Sequence, residues 1–253
     1  MKEDLLFYSA YEQFYEMADK SNSFKVFCKD AFGEDFSQDG FSDINQINMI
    51  FDYLPDIKNL KILDVGCGNG KMLGYLQKKT NAHISGFDYS EKAISCAKNL
   101  FKNNADFRVG IIGEIEYPDN SFDFITSMDT MYFARDMVSF ITQIKRWLKP
   151  DGVLFVGYQE GEIVPKTANS ETTLLANALR DNQMNYKVID ITQQTYEMLK
   201  RKRLSAEKYK KQFDSENMTQ WYEMLMFQTE SATASFNEYK SRFSRYIFVV
   251  ENK

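Results

Sequence analysis

The segment Ile62-Leu63-Asp64-Val65-Gly66-Cys67-Gly68-Asn69-Gly70 constrains this chain more than any other. An apolar run meets an acid and then three alternating glycines, and Lys71 to Lys79 continue in a helix-like pattern. A second apolar run ends at Gly86-Phe87-Asp88-Tyr89-Ser90, on another acid. Two strands joined through a helix run parallel, so the glycine turn and Asp88 reach the same sheet edge. Glycine lets the backbone turn sharply and come close to a ligand. A carboxylate at the neighbouring strand tip is placed to accept both hydroxyls of a ribose. Together these features describe a nucleoside-cofactor site.

Spacing narrows the ligand. Dinucleotide sites use Gly-x-Gly-x-x-Gly to seat a pyrophosphate on a helix N-terminus. Here Gly66, Gly68 and Gly70 form Gly-x-Gly-x-Gly, with Asp64 two residues before the first. That acid repels a pyrophosphate and attracts an ammonium group, which disfavours a nucleotide-dependent oxidoreductase. A ligand with an amino-acid end and a ribose satisfies both acids. As a residue, Asp64 also fits a strand-end acid that bonds nearby amides.

The glycine segment resembles motif I of the class I S-adenosylmethionine-dependent methyltransferases, and Gly86 to Ser90 resembles their second acidic motif. Pro118-Asp119-Asn120-Ser121-Phe122-Asp123, followed by Phe124-Ile125, is similar to the approach to that family's fourth strand. Arg146-Trp147-Leu148-Lys149-Pro150-Asp151-Gly152-Val153-Leu154 is similar to its helix end, turn and fifth strand. The resemblance covers roughly residues 60 to 158 in family order.

It implies an α/β fold: a doubly wound, mostly parallel seven-stranded sheet of Rossmann-like form with a helical lid. The residues read compatibly, with strands centred near Ile62, Ile84, Ile125 and Leu154 and a weaker one near Phe107. Residues 1 to about 30 read as amphipathic helix, with Phe7, Tyr8, Tyr11, Phe14 and Tyr15 at helical spacing. Gly33 to Asp43 reads as a polar loop, and Ser42 or Asp43 caps a helix from Ile44 to Leu54 that Pro55 follows. Beyond Tyr158 the pattern gives a helix over Ser170 to Arg180, a short strand over Tyr186 to Ile191, a helical region from about Gln193 to Ser241, and a last strand, Arg245 to Val250. The family's last two strands form an antiparallel pair, so the helical stretch between them is expected to be an insertion. The expected organisation is an N-terminal helical lid segment (1–45), an S-adenosylmethionine-binding core (46–192 plus 244–253) and a helical cap insertion (193–243).

The resemblance also implies residue roles. Asp64 belongs near the cofactor's amino group; Gly66, Gly68 and Gly70 approach its methionyl and ribose parts; Asp88 holds the ribose hydroxyls. Tyr89 packs on the adenine face, and Ser127 and Met128 form the other wall. Many relatives carry an acid before the fourth strand for the adenine amino group, whereas this chain reads Val109-Gly110-Ile111-Ile112-Gly113-Glu114. Ile111 and Ile112 are expected to give apolar contacts and a backbone amide, with Glu114 the only acid able to reach back.

The acceptor is expected beyond the fourth and fifth strand tips. Asp129 is the candidate orienting acid or base and Tyr132 its partner; Phe133, Tyr158 and Glu160 bind substrate, and Tyr11 and Tyr15 close over them. Trp221, Tyr222 and Tyr246 are further lid candidates, although each ring taken singly fits ordinary core packing. Aromatic residues make up 15% of the chain, with 21 Phe and 15 Tyr, which favours a ring-walled pocket. Rings and acids together suit a cationic or amine acceptor.

Charge and composition remove other classes. A net charge of −5 with no long basic run argues against nucleic acid, and Lys200-Arg201-Lys202-Arg203 is read as the solvated face of a helix. Cys28, Cys67 and Cys96 have neither disulfide-framework nor metal-ligand spacing, and His83, the sole histidine, is read as structural, so no metal is expected. No signal peptide or spanning run is evident, so a cytoplasmic protein with no membrane partner is expected, as a monomer or homodimer. The activity expected is in-line methyl transfer from S-adenosyl-L-methionine to a small molecule, an amine first. O- or C-methylation and a non-catalytic S-adenosylmethionine-binding protein remain as alternatives.

Overall fold

The computed structural model describes residues 5–37, 39–102 and 105–253. Its centre is one seven-stranded sheet in the order β3-β2-β1-β4-β5-β7-β6. These strands are β1 (Lys61–Val65), β2 (His83–Asp88), β3 (Ala105–Val109), β4 (Phe122–Met128), β5 (Leu148–Glu160), β6 (Asn185–Asp190) and β7 (Ser244–Glu251). The first five pair in parallel, and β7 runs antiparallel to both β5 and β6. Chain order reverses at the β1–β4 boundary, the switch point where open α/β sheets gather ligands.

Strand alternation builds a core on each face. Leu63, Val65, Ile125 and Val156 pack with α6 (Met137–Trp147) and α7 (Leu174–Asp181). Ile62, Ile84, Phe124 and Phe155 pack on the other face with α3 (Ile44–Asn48), α4 (Lys71–Thr80) and α5 (Glu91–Phe101). Asp43 caps α3 by accepting from the Asn45 and Gln46 amides, and a 3₁₀ turn, Met49–Asp52, continues it.

A third core joins the two ends of the chain. The N-terminal helices α1 (Tyr8–Lys20) and α2 (Asn22–Phe32) pack with α8 (Thr192–Ser215), α9 (Thr219–Gln228) and α10 (Phe236–Arg242), which lie between β6 and β7. Buried Phe24, Phe27 and Phe213 fill it, each contributing about 1.5–3 kcal/mol of burial. The single N-terminal helix expected from periodicity is divided at Ser21, and residues 1–4 of that expectation lie outside the described residues. Ser21 leaves the helix at ψ 119°, accepts from the Phe24 amide and donates to Glu216 Oε2 at 2.7 Å. A distant carboxylate thus fixes the break.

The basic run on α8 departs in part from the solvated face expected of it. Lys202 is 2% exposed and donates to Gln228 Oε1; Arg201 pairs with Asp43, and Arg203 donates to the Met226 carbonyl. The segment is helical as its periodicity predicts, and Lys200 and Arg201 are exposed as expected, but Lys202 is buried. Among the described residues, no helix is long and apolar enough to cross a membrane.

Candidate active site

The turn after β1 folds back onto the tip of β2. The amides of Gly66 and Cys67 both donate to the Phe87 carbonyl, at 2.9 and 3.0 Å, and the Gly68 amide donates to Asp88 Oδ2 at 3.0 Å. Gly68 has φ +53°, and a Cβ built there stands 2.3 Å from the Tyr15 hydroxyl. Glycine is therefore demanded twice, by the left-handed backbone and by the approach of α1. At Gly66 a Cβ would meet Thr130 Cγ2 at 2.4 Å.

Asp88 Oδ1 accepts from the Ser90 amide at 2.8 Å, which aims the carboxylate back across the turn. Burial pushes its pKa up to about 6, against the lowering pull of the Ser90 and Gly68 amides. Asp64 is 3% exposed, and its Oδ1 is buried without a hydrogen-bond partner. Burial raises its pKa well above the usual range, with the Asp88 charge adding to the effect. A buried carboxylate oxygen without a donor is costly unless a ligand supplies one.

Both acids line one cavity of about 220 Å³ at the carboxyl ends of the strands. Its wall carries Gly66, Asp64, Asp88, Tyr89, Ile111 and Ile112 on the side of β1 to β3, and Met128, Asp129 and Phe133 beyond β4. Tyr11 and Tyr15 of α1 close it. The residues fit S-adenosylmethionine: an ammonium group would satisfy Asp64 Oδ1, and ribose hydroxyls would donate to Asp88. Tyr89 lies among Tyr8, Tyr11 and Phe133, and its hydroxyl donates to the Leu6 carbonyl. Glu12 of α1 accepts from Ser90 Oγ and the Lys92 amide, which ties the helix across the tip of β2.

Gly68, Gly70 and Ser127 support the wall from behind. Ser127 Oγ lies 2.6 Å from Thr130 Oγ1, and that hydroxyl reaches the Val65 carbonyl at 2.7 Å. Thr130 itself lines the cavity. At Gly70 a Cβ would meet the Phe107 ring at 2.7 Å, so this glycine lets the turn pack against β3. The Gly110 to Ile112 segment presents no acid, and Glu114 lies 3.9 Å from Arg135 with an exposed side chain, so it does not reach back.

The acceptor residues expected from sequence are redistributed. Asp129, at φ +64°, pairs with Arg245 through both carboxylate oxygens and accepts from Ser42 Oγ and the Phe41 amide. Arg245 is fully buried, and Asp129, the expected orienting acid or base, neutralises it while also lining the cavity. The Tyr132 ring packs at a tilt against Phe133 and Tyr158, off the cavity wall, and burial holds its hydroxyl well above its ordinary pKa. Tyr158 is a core residue packed on Phe248. Glu160 is 1% exposed and accepts from Thr167 and Ser244. Neither lines the cavity, because β5 continues past it as the partner of β7, with Tyr158 opposite Tyr246 and Glu160 opposite Ser244.

Sequence reasoning missed Asp39, Gly40, Thr130 and Arg135 on the wall. Asp39-Gly40 carries only a turn signal, and Thr130 could have been inferred as the neighbour of Asp129.

A family profile described as a methyltransferase domain matches residues 56–229. The chain is 30% identical over 215 residues to phosphoethanolamine N-methyltransferase 3 of Arabidopsis thaliana, 77% of this chain and 43% of that protein. It is 29% identical over 135 residues to sterol 24-C-methyltransferase ERG6B of Gibberella zeae, 51% of this chain and 35% of that one. The chain therefore spans less than half the length of these curated relatives. Among solved structures, Haemonchus contortus phosphoethanolamine N-methyltransferase 2, in complex with phosphomonomethylethanolamine and S-adenosylhomocysteine, aligns with a TM-score of 0.74 at 19% identity. That alignment covers 94% of this chain and 58% of that one, and establishes a shared fold.

Proposed function

This chain belongs to the class I S-adenosylmethionine-dependent methyltransferases, and we propose that it transfers the cofactor's methyl group to the nitrogen of a small-molecule amine. One observation carries the cofactor assignment. The buried, unbonded oxygen of Asp64 shares a cavity with Asp88, and the two acids match the ammonium and ribose ends of one ligand. When bound, S-adenosylmethionine supplies a methyl group activated on a sulfonium, open to in-line displacement.

The chain's own residues then position and desolvate. Tyr89, Ile111 and Ile112 give the adenine end an apolar bed, and Met128 and Phe133 form the opposite wall. The helical segments 1–45 and 193–243 act as a lid on the core of 46–192 plus 244–253. Alignment and exclusion of water are the main levers for a displacement of this kind. With Asp129 paired to Arg245 and Tyr132 held protonated, the acceptor reacts as the free amine and its surplus proton leaves to solvent.

An amine is favoured because, beyond Asp64 and Asp88 at the cofactor end and Asp129 paired with Arg245, a further carboxylate, Asp39, lines the cavity. The likeness to phosphoethanolamine N-methyltransferases supports the same acceptor class. The likeness to a sterol 24-C-methyltransferase favours carbon methylation as a second reading. A cytoplasmic location agrees with the three unpaired cysteines.

The test is calorimetric titration with S-adenosylhomocysteine, followed by methyl-label transfer from S-adenosylmethionine to panels of small amines, phenols and sterols. Binding with transfer only to amines is expected. Transfer only to sterol carbon would replace the amine reading, and absence of binding would remove the cofactor assignment.

A further inference from the structure

Three of the four carboxylates on the cavity wall are accounted for. Asp64 faces the cofactor's ammonium position, Asp88 its ribose position, and Asp129 is paired with Arg245. Asp39 is the fourth. It stands on the loop between α2 and α3, a quarter exposed and facing the cavity. Both of its oxygens accept from Gln228 Nε2, each at 3.1 Å. A neutral amide orients a carboxylate without cancelling its charge.

Behind Gln228 lies Lys202, whose ammonium donates to Gln228 Oε1 at 2.8 Å and forms only a long ion pair with Asp39, at 3.9 Å, in contrast to the direct two-oxygen pairing of Asp129 with Arg245. The Phe32 and Phe41 rings flank that ammonium at 5.8 and 6.0 Å. A fully buried cation is costly, and this one lies beside Asp39 with Gln228 bridging the two. Lys202 and Gln228 belong to α8 and α9, so the cap sets the carboxylate from outside the core. Tyr11 lines the cavity close enough for Asp39 to raise its hydroxyl's pKa, second only to the effect of burial.

Resting on the amine reading, we infer that Asp39 is the specificity-determining residue of the acceptor subsite: it holds the cationic or N–H face of the amine, and Gln228 and Lys202 are its positioning residues. An ammonium that enters gives one proton to water, keeps its remaining N–H bonds toward Asp39, and turns its lone pair to the methyl group. Neutral alcohols and hydrocarbons of the same shape gain nothing from this carboxylate and bind less well.

The experiment uses protein saturated with S-adenosylhomocysteine, titrated with choline and with 3,3-dimethylbutanol, which has the same shape without the charge. The wild type is expected to prefer choline by about tenfold or more, and Asp39→Asn to reduce the preference to about twofold or less, with S-adenosylhomocysteine affinity held within about threefold. Equal binding of both probes by the wild type overturns the inference, as does a preference that survives Asp39→Asn. If Asp39→Asn no longer binds S-adenosylhomocysteine, Gln228→Ala carries the test. It should cut the preference about threefold and raise KM for an amine acceptor with kcat retained; an unchanged preference overturns the inference. Methyl transfer to amines, measured in parallel, separates the two readings. Amine methylation with a charge preference independent of Asp39 sinks this inference alone, whereas an Asp39-dependent preference without amine methylation sinks only the amine reading.

Discussion

The two ends of the cavity are built in opposite ways. At the cofactor end, Asp64, the glycine turn and Asp88 come from two adjacent parallel strands and the turn between them, and their bonds run between register neighbours. At the acceptor end, Tyr11 comes from α1, Asp39 from the loop before α3, Asp129 from beyond β4, Gln228 from α9 and Arg245 from β7. The carboxylates differ accordingly. Asp64 and Asp88 are buried with raised pKa values, kept for a ligand, whereas Asp129 is already neutralised inside the protein. At the cofactor end a short motif holds the open acids; at the acceptor end one acid, Asp129, is spent on Arg245, and Asp39 is held in place by Gln228 from the cap.

The sharpest attack on this contrast is Gly68→Val. The new side chain meets the Tyr15 hydroxyl and a φ of +53°, so S-adenosylhomocysteine affinity should fall by more than about 1,000-fold with far-UV circular dichroism unchanged. Calorimetric binding within tenfold of the wild type would show that the turn tolerates what its geometry forbids. At the other end, Asp129→Asn keeps a residue type tolerant of positive φ but strands a buried guanidinium. Denaturant unfolding should show a loss of about 3–5 kcal/mol, much of it recovered in an Asp129→Asn, Arg245→Met double variant.

Asp88→Ala tests whether the cofactor end acts through charge. Loss of its charge-assisted bonds should weaken S-adenosylhomocysteine binding by about 2–3 kcal/mol in calorimetry. The pH dependence refines the same point. In the free protein the Asp88 carboxyl is raised to about 6, so ribose binding, which needs the carboxylate, should weaken about tenfold per pH unit below 6 and level off above it. Stability of the free protein should move the opposite way. The raised group favours the folded state most below its unfolded value near 4, and that contribution is lost as pH climbs through about 6. Asp88→Asn should remove the step near pH 6 from both profiles. The smallest effect belongs to Tyr158→Phe. Its hydroxyl is buried without a partner, so turnover should be unchanged and stability should rise by up to about 1 kcal/mol.

Legibility in the sequence follows the same division. The seven-strand fold and the placing of Asp64, Gly66, Asp88, Tyr89, Ile111, Ile112 and Met128 on one cavity are readable because each depends on strand period, turn chemistry or adjacent register. Tyr158 and Glu160 are misplaced by sequence reasoning because their position at a strand end is visible while the pairing of β5 with β7 is not. Lys202 reads as solvated because a helix face is apolar or polar in sequence, but covered or open only in space.

By itself, then, the sequence determined the strand–turn–strand unit and the kind of ligand its acids attract, since backbone conformation and neighbouring charges act over a few residues. The tertiary structure alone decided which acids remain available. That depends on whether a chain segment more than 100 residues away, as with Arg245 on Asp129 or Gln228 on Asp39, brings a partner within bonding distance. Coulomb and hydrogen-bond energies are fixed by separation in space, on which chain position places no bound once the polypeptide has folded back on itself.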